Sequence, residues 1–244
     1  MVFAPEDVIV TFMAVAVAVH TAHESGSLVT LSRTCAITPF FLVTMLMIAS
    51  LHILYALIWF APASFYTSAS SFPLRLLGAY PVRVFANLVA IGKAAQQITV
   101  TLWALHAANA AALTSVSAGV SSLTALLSAA DFRVWGTGLS LLLIGQLLNM
   151  GIYFAIGKDG VYYGFKLRRP VPWCTGFPFN IGFRHPQYVG AIISQLGVIS
   201  MLASPATVAA GLPQLVAWWL ICYALTSWME ASGDNEPKKD KWTN

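Results

Sequence analysis

Long apolar segments separated by short polar loops dominate this chain and restrict the folds that it can adopt. Of its 244 residues 58% are hydrophobic and only 9% are charged, which is too little charge to cover a water-soluble protein of this size. The three cysteines, Cys35, Cys174 and Cys222, lie far apart and suggest neither a disulfide framework nor a zinc site. We therefore predict an integral membrane protein.

Five apolar runs have the length of membrane-spanning helices. They are Ala36 to Ala61, Val82 to about Ala107, Val134 to Ile156, Pro186 to Ala203 and Val208 to Met229. A further run, Val8 to Ala22, comes first in the chain, so the five runs above are the second to the sixth. It is short for about 30 Å of hydrocarbon, which needs roughly 20 residues, so it is either a tilted span or a partial or re-entrant element. The pattern predicts an all-α polytopic membrane bundle of five to six apolar helices.

Two regions are expected along the chain. Residues 1–133 hold N-terminal membrane helices and loops, and residues 134–244 hold a catalytic membrane region with a cytosolic loop. Pro62 to Pro81 is predicted to be a connecting loop, and Asn109 to Ala130 fits a loop or a weak helix. Because Glu6 and Asp7 stand where a signal peptide has a basic segment, we expect the first run to belong to the mature protein.

Basic residues lie mostly on one side if all six runs cross the membrane. With a cytosolic C-terminus, Arg33 and Arg133 lie outside, and ten basic residues lie inside: Arg75, Arg83, Lys158, Lys166, Arg168, Arg169, Arg184, Lys238, Lys239 and Lys241. This bias predicts that the polar loop Pro172 to Gly190 faces the cytosol. The small net charge of +4 fits lipid headgroups better than a nucleic-acid groove, so no nucleic-acid partner is expected.

The polar loop and the end of the last run carry the residues most suited to chemistry. Arg184, His185, Gln187 and Tyr188 surround Pro186 at the start of the fifth run, where free backbone donors can face an anion. Glu230 ends the last run, where a carboxylate is costly at membrane depth and stands at the unfavourable end of the helix dipole. A cationic ligand would explain Glu230.

Other polar and small residues allow both a structural and a functional reading. Gly157, Gly160 and Gly164 permit close backbone approach to a ligand or to a neighbouring helix. Lys93 lies inside the third run, either as a functional group or as a side chain that snorkels to the interface. Three further side chains, His20, His23 and Glu24, have helical spacing, but we expect them to mark a helix end rather than a metal site.

Several motifs taken together resemble the phospholipid N-methyltransferases, especially the plant-type phosphatidyl-N-methylethanolamine N-methyltransferases. The motifs are Gly145 to Asn149, Gly157 to Gly164, Pro172 to Phe179 and His185 to Gly190, in that order. The resemblance covers Gly145 to the C-terminus well and reaches weakly back to the segment from Pro81 to Gln97. It implies an enzyme of the endoplasmic reticulum that uses S-adenosyl-L-methionine to methylate phosphatidylethanolamine or its mono- and dimethyl forms, and so makes phosphatidylcholine.

The resemblance also implies a cofactor site. In the animal members of the family, cofactor binding is assigned to a Gly-any-Gly pattern and to a Glu-Glu pair at the end of the last helix. Leu143-Ile144-Gly145 stands at the first place here, and Met229-Glu230 or Glu230-Ala231 at the second, so one glycine and one glutamate are absent. The predicted cofactor residues are Leu143, Ile144, Gly145, Gly157, Gly160, Gly164, Glu230 and Ala231. No glycine fingerprint between a strand and a helix is present, so a Rossmann domain is not expected.

Methylation chemistry suggests roles for several side chains within this resemblance. The attacking amine must be neutral, although an amine that behaves like lysine, with a pKa of about 10.4, is mostly protonated near pH 7. His185 is the preferred proton relay or phosphate contact, with Tyr188 and Glu230 as further catalytic candidates. Arg169, Arg184 and Lys93 are candidates for the lipid phosphate. Tyr162, Tyr163, Trp173 or Tyr188 can offer an aromatic face to a sulfonium or a methylated ammonium.

Two other functions remain open from the sequence. An isoprenylcysteine carboxyl methyltransferase also carries a His-Pro-any-Tyr element, although the turn from Thr175 to Asn180 favours the phospholipid branch. A non-catalytic transporter or lipid-binding protein is the alternative from a different class, with Lys93 and Glu230 lining a path. Because lipid and cofactor come from different phases, an opening toward the bilayer is expected between the fourth, fifth and sixth runs.

Overall fold

Helices and turns make up the fold. The computed structural model describes residues 5–26, 37–128, 131–172, 174–183 and 185–233, and in these ranges it contains no strand. The helices are α1 (Pro5–Glu24), α2 (Pro39–Phe60), α3 (Pro62–Ala69), α4 (Pro81–Ala108), α5 (Val116–Ser128), α6 (Phe132–Val161), α7 (Pro186–Leu202), α8 (Pro205–Ala209) and α9 (Leu212–Gly233). Short 3-10 turns cover Leu74–Leu77, Ala110–Leu113 and Phe179–Ile181. The predicted all-α class is confirmed.

Within the described ranges, four helices are long and apolar enough to cross a membrane, namely α1, α2, α4 and α6. The first apolar run is longer than predicted, because α1 begins at Pro5 and extends over 20 residues. The fifth run forms α7, whose 17 residues are fewer than the roughly 20 that a perpendicular span needs, and the last run forms α9, with 22 residues. The predicted membrane helical bundle is confirmed, and the crossing of α1 stays a prediction.

Local signals explain where the helices begin. Proline stands in the first turn of α2, α3, α4, α7 and α8, where its fixed backbone angle suits a helix start and no amide donor is lost. The Thr38 hydroxyl caps α2 by accepting the Phe41 amide at 3.1 Å. The connecting segment Pro62 to Pro81 therefore contains the short helix α3. Of the segment Asn109 to Ala130, predicted as a loop or a weak helix, Val116–Ser128 form α5.

The α6–α7 pair packs through glycines. A Cβ atom added to Gly145 would lie 2.4 Å from the Gly190 carbonyl oxygen, and one added to Gly197 would lie 2.5 Å from that of Gly138. Such contacts require the two backbones to touch, which small residues permit in membrane helices. The pair is therefore held together by small residues, and the loop that joins it lies at one end of the bundle.

Six helix ends meet at that end of the bundle, which we call the loop face. The α6–α7 loop contacts the last turns of α2 and α9 through Tyr163, and the loop residue Gly182 lies against Glu6 of α1. Arg169 lies over the ring of Tyr80, just before α4. At the opposite end, Glu24 and Arg133 form an ion pair of 3.7 Å. The loop face thus combines residues that are distant in sequence.

Candidate functional site

A carboxylate held by two phenols forms the centre of the loop face. The hydroxyl groups of Tyr163 and Tyr188 both donate to Oε1 of Glu230 in the last turns of α9. The tyrosines are buried, and Glu230 is half-buried. We call these three residues the Glu230 cluster. Of the predicted catalytic residues, the structure therefore brings Tyr188 and Glu230 into direct contact.

Aromatic rings from the first half of the chain surround the cluster. The ring of Tyr163 lies 5.7 Å from that of Tyr55, 5.4 Å from that of Trp59 and 5.7 Å from that of Phe85. Burial, and next the negative charge of Glu230, hold the pKa of the Tyr163 phenol well above its ordinary value. Tyr163 therefore keeps its proton and remains a hydrogen-bond donor. Tyr55, Trp59 and Phe85 were not predicted, because nothing local in sequence links them to the loop.

The basic residues of the loop stack on aromatic rings. The Lys166 ammonium lies 3.9 Å from the ring centre of Trp59, and the Arg168 guanidinium lies 4.5 Å from that of Tyr66. Arg169 bonds Oδ2 of Asp159 at 3.0 Å through its Nε. These contacts fit the reading of Lys166 and Arg168 as interfacial anchors. The phosphate role of Arg169 stays a prediction.

The predicted cofactor glycines have local structural reasons. Gly157 has a φ of 66°, which favours glycine and kinks α6, and a Cβ on Gly164 would lie 2.6 Å from the Asp159 carbonyl oxygen. A Cβ on Gly160 would meet the Ile156 side chain at 2.7 Å. Gly157 and Gly164 thus shape the turn that delivers Tyr163 to Glu230.

The remaining cofactor candidates lie at different places. Gly145 is packed against α7, while Leu143 and Ile144 on the same helix are exposed side chains, with 63% and 50% of their surface accessible. Ala231 follows Glu230 in α9 and is half-buried. Of Leu143, Ile144, Gly145 and Ala231, only Ala231 is adjacent to a residue of the Glu230 cluster. A direct cofactor contact for Leu143 to Gly145 stays a prediction.

His185 stands immediately before α7, beside the N-terminal turn of α1. Its backbone amide donates to Oδ1 of the buried Asp7 at 3.4 Å, and its ring centre lies 6.0 Å from that of Tyr188. This docking of α1 onto the loop was not predicted. The predicted residues Arg184 and Trp173 lie outside the described residues, as do Lys238, Lys239 and Lys241.

An apolar cleft runs between α1 and α9, with α7 as its floor. One part has a volume of about 380 Å³ and begins at Asp7, His185 and Tyr188. A second part of about 320 Å³ shares Val15 and Leu220 with the first and continues to Ala22 and Ala203. We call the two parts the apolar cleft. The cleft is lined mainly by the first, fifth and sixth runs, with Val134 of the fourth run in its second part, and the opening between the fourth, fifth and sixth runs stays a prediction.

A polar cavity lies on the other side of α7, between α4, α6 and α7. Its volume is about 290 Å³. Its polar lining comprises Lys93, Gln146, Asn149, Tyr153, Tyr162, Gln187, Ser194, Gln195 and Tyr223. The Tyr153 and Tyr162 hydroxyls lie 2.5 Å apart. Lys93 is therefore placed on a polar cavity rather than at the Glu230 cluster.

The glutamines beside Lys93 have packing roles. Gln96 is buried and donates to the Ile48 carbonyl oxygen in α2 at 2.9 Å. Gln97 donates to the Gln195 side chain of α7 at 2.6 Å. These hydrogen bonds connect α4 to α2 and to α7, so both glutamines have a structural role.

A small junction cavity of about 20 Å³ joins the polar cavity to the Glu230 cluster. Lys93, Gln187 and Tyr223 line both the polar and the junction cavities. Tyr55 and Tyr188 approach the junction from the cluster, and His52 of α2 completes it. His52 was missed, although a single ionisable side chain inside an apolar run is itself a signal that could have found it.

The comparisons with known proteins concern the second half of the chain. Residues 134–232 match the family model described as phospholipid methyltransferase. A stretch of 94 residues is 34% identical to a phosphatidyl-N-methylethanolamine N-methyltransferase of Arabidopsis thaliana, which covers 38% of this chain and 51% of that protein. The chain thus spans about half the length of this curated relative, and no solved structure matches it.

Proposed function

We propose that this chain, whose residues 134–232 match the phospholipid methyltransferase model, methylates the amine of a phospholipid with S-adenosyl-L-methionine as the methyl donor. The preferred substrates in this proposal are phosphatidyl-N-methylethanolamine and its dimethyl form, and the final product is phosphatidylcholine. The name of the Arabidopsis relative supports the monomethyl substrate. The Glu230 cluster is the observation that carries the proposal.

The Glu230 cluster suits a cation in a membrane protein. Tyr163 and Tyr188 fix the carboxylate of Glu230 by two hydrogen bonds, and the rings of Tyr55 and Trp59 pack against Tyr163. A carboxylate and the faces of aromatic rings both attract a sulfonium or a methylated ammonium, and the attraction is stronger away from water. When bound, S-adenosyl-L-methionine supplies an electrophilic methyl group. The residues present therefore fit a cofactor of this charge.

We assign roles to the other predicted residues, of which Arg184 lies outside the described residues. His185 lies where the apolar cleft reaches the loop face, so it contacts the headgroup as a proton relay or as a partner of the phosphate. Lys93, with the amides of the polar cavity, is a second group for an anion, and Arg169 and Arg184 remain phosphate candidates. Gly157, Gly160 and Gly164 shape the cofactor turn, whereas Gly145 supports it from the α6–α7 interface, next to Leu143 and Ile144.

The apolar cleft provides the route for the lipid in this proposal. It follows α1 from Asp7 to Ala22, a helical rise of about 22 Å at 1.5 Å per residue. That distance exceeds one leaflet of a bilayer whose hydrocarbon core is about 30 Å thick. An acyl chain in the cleft therefore keeps its headgroup beside His185 and Tyr188.

We assign the loop face to the cytosol and the protein to the endoplasmic reticulum. Arg75, Arg83, Lys158, Lys166, Arg168 and Arg169 lie at or near this face, and Arg133 lies near the opposite one. Basic residues are enriched on the cytosolic side of membrane proteins. This orientation gives a water-soluble cofactor access to the Glu230 cluster.

The direct test is methyl transfer by membranes from a host that lacks phospholipid methylation. Labelled S-adenosyl-L-methionine is supplied with phosphatidylethanolamine or with its monomethyl or dimethyl form, and lipid extracts are separated. We expect label with the two methylated substrates. No labelled lipid from any substrate, with correctly inserted protein, would contradict the proposal, and label in a carboxyl methyl ester of a prenylated cysteine would assign the chain to the rival enzyme.

A further inference from the structure

We propose that His52 of α2 is the proton acceptor of this methyl transfer, with Thr226 of α9 as its positioning residue. The inference rests on the proposed function and names a catalytic group outside the segment that matches the family. His52 Nδ1 lies 2.8 Å from Oγ1 of Thr226, across 174 residues of sequence.

The hydrogen bonds of Thr226 fix the tautomer of His52. The Thr226 hydroxyl donates its single proton to the Cys222 carbonyl oxygen at 2.9 Å, one turn earlier in α9. Its oxygen must therefore accept from His52, so Nδ1 carries the ring proton. Nε2 then holds a lone pair, which is the form that a general base requires.

The position of His52 relates it to the Glu230 cluster. Thr226 precedes Glu230 by four residues, so both lie on one face of α9, about 6 Å apart along the axis. Tyr55 follows His52 by three residues on one face of α2 and contacts Tyr163 at 5.7 Å between ring centres. His52 therefore lies about one helical turn deeper than Glu230.

The junction cavity gives His52 room for one bridging water toward the Glu230 cluster, where the proposed function places the amine. Its volume of about 20 Å³ is enough for roughly one water-sized group, for which about 10–15 Å³ is needed. Because Lys93, Gln187 and Tyr223 also line the polar cavity, a proton can pass between the two spaces through a single bridging group. The ring of Tyr223 packs edge-on against that of His52 at 4.7 Å and holds it in place.

The groups that face His52 favour its neutral form. Lys93 of α4 lines the same cavity and, as a cation, opposes a second positive charge there. Tyr55 of α2, Tyr188 of α7 and Tyr223 of α9 are neutral phenols at neutral pH, and Glu230 is bonded to Tyr188. His52 is thus unprotonated before the transfer and readily releases a proton that it has accepted.

The proposed step balances protons and electron pairs. The ammonium group of the lipid gives one proton to His52 Nε2 and becomes a neutral amine. The nitrogen lone pair then forms the new N–C bond, while the C–S pair of the donor returns to sulfur, which becomes a neutral thioether. His52 passes its proton to water. Each cycle releases one proton, because the methylated product is again a cation.

His52→Asn is the decisive variant, because its amide can still donate to Thr226 but cannot act as a base. We expect a loss of at least 100-fold in kcat at pH 7 with phosphatidyl-N-methylethanolamine, with KM within threefold. The loss should shrink as pH rises from 7 to 9, since more amine is then already neutral. The exposed His20→Asn serves as the control, with kcat within twofold of the unchanged protein.

Thr226→Val leaves the ring of His52 in place and removes only the acceptor for Nδ1–H. We expect kcat to fall about tenfold, and ¹⁵N NMR of labelled histidine to show the Nδ1–H tautomer of His52 only in the unchanged protein. If the unchanged protein is active and His52→Asn keeps kcat within threefold at pH 7, the proposal for His52 is overturned while the proposed function stands. Failure of the unchanged protein to methylate any of the three lipids would instead overturn the proposed function.

Discussion

The α6–α7 interface and the Glu230 cluster lie in the same half of the chain and are built from opposite kinds of residues. The interface consists of glycines whose backbones touch, such as Gly145 against Gly190. The cluster consists of a carboxylate and two large phenols, surrounded by rings from α2 and α4. The residues highlighted by the sequence therefore fall into two groups. One group lets α6 and α7 pack closely, and the other group carries the polar side chains of the candidate site.

Glu230→Gln should show the largest difference between the two groups of residues, because it should reduce activity without reducing stability. The amide keeps the size of the side chain but removes the negative charge that attracts a cationic ligand. We expect methyl transfer to fall at least 100-fold, which is about 2.7 kcal/mol, while the detergent-solubilised protein keeps its thermal stability within a few degrees. Glu24→Gln at the opposite face is the matched control and should stay near full activity. Equal losses of methyl transfer in Glu230→Gln and Glu24→Gln would contradict a special role for the charge of Glu230.

Gly145→Val tests the supporting group. The added Cβ would lie 2.3 Å from Oγ of Ser194 and 2.4 Å from the Gly190 carbonyl oxygen, so α6 and α7 must separate. We expect destabilisation by about 1–3 kcal/mol, measured as a lower thermal midpoint and a reduced yield of folded protein. Gly136→Ala on the same helix meets nothing within 4 Å and should not lower the midpoint. A normal midpoint with lost cofactor binding would instead favour a direct cofactor role for Gly145.

Tyr188→Phe should weaken the cluster without removing its charge. The ring remains, but Glu230 loses one of its two phenol donors. A charge-assisted hydrogen bond of this kind contributes about 1.5–3 kcal/mol, so we expect at least a tenfold lower kcat. Tyr66→Phe, where the ring contacts Arg168, keeps its stacking face and is expected to stay within twofold.

Alkaline pH tests the buried phenol of Tyr163. Burial and Glu230 raise its pKa in the folded state above the ordinary value of about 10. The folded protein therefore binds this proton more tightly, so the contribution to stability is complete below pH about 10 and decreases as pH rises toward the folded pKa. Thermal midpoints between pH 8 and 11 should fall more steeply for the unchanged protein than for Tyr163→Phe. Parallel curves would contradict this account.

Arg169→Gln should have the smallest effect. Its side chain is about half exposed and pairs with Asp159 on the surface of the loop face, and exposed pairs contribute about 0–1 kcal/mol. We expect a stability change within 1 kcal/mol and, because Arg169 is a phosphate candidate, a two- to threefold increase in the KM for lipid. A loss of kcat as large as that of Glu230→Gln would contradict this expectation and would indicate that Arg169 takes part in the reaction.

The helices were largely predictable because apolar runs and prolines are local signals. Pro39, Pro81 and Pro186 start helices close to the predicted boundaries, and the run Val134 to Ile156 lies within α6. The connecting segment Pro62 to Pro81 was harder to predict, because serine-rich sequences do not distinguish a loop from a short helix such as the eight-residue α3. The length of α7 also differs from that of a full span, since Leu202 ends it before the next proline.

The candidate site was predictable in part. Tyr188 and Glu230 stood out because polar groups in apolar surroundings are costly, and the structure joins them. The aromatic rings of Tyr55 and Trp59, and the hydrogen bond between His52 and Thr226, were not foreseeable, because these contacts connect helices that are more than 100 residues apart. Gly145 shows the opposite case, in which a residue highlighted by the family resemblance has a packing contact that explains it.

Equilibrium binding of two ligands tests the charge of the Glu230 cluster most directly. S-adenosyl-L-methionine carries a sulfonium, whereas S-adenosylhomocysteine has a neutral thioether in its place, so their ratio of Kd values reports the attraction for a cation. We predict that Glu230→Gln weakens binding of S-adenosyl-L-methionine at least tenfold more than that of the neutral ligand, a difference of about 1.4 kcal/mol. An unchanged ratio of Kd values, with both ligands still bound, would contradict the account.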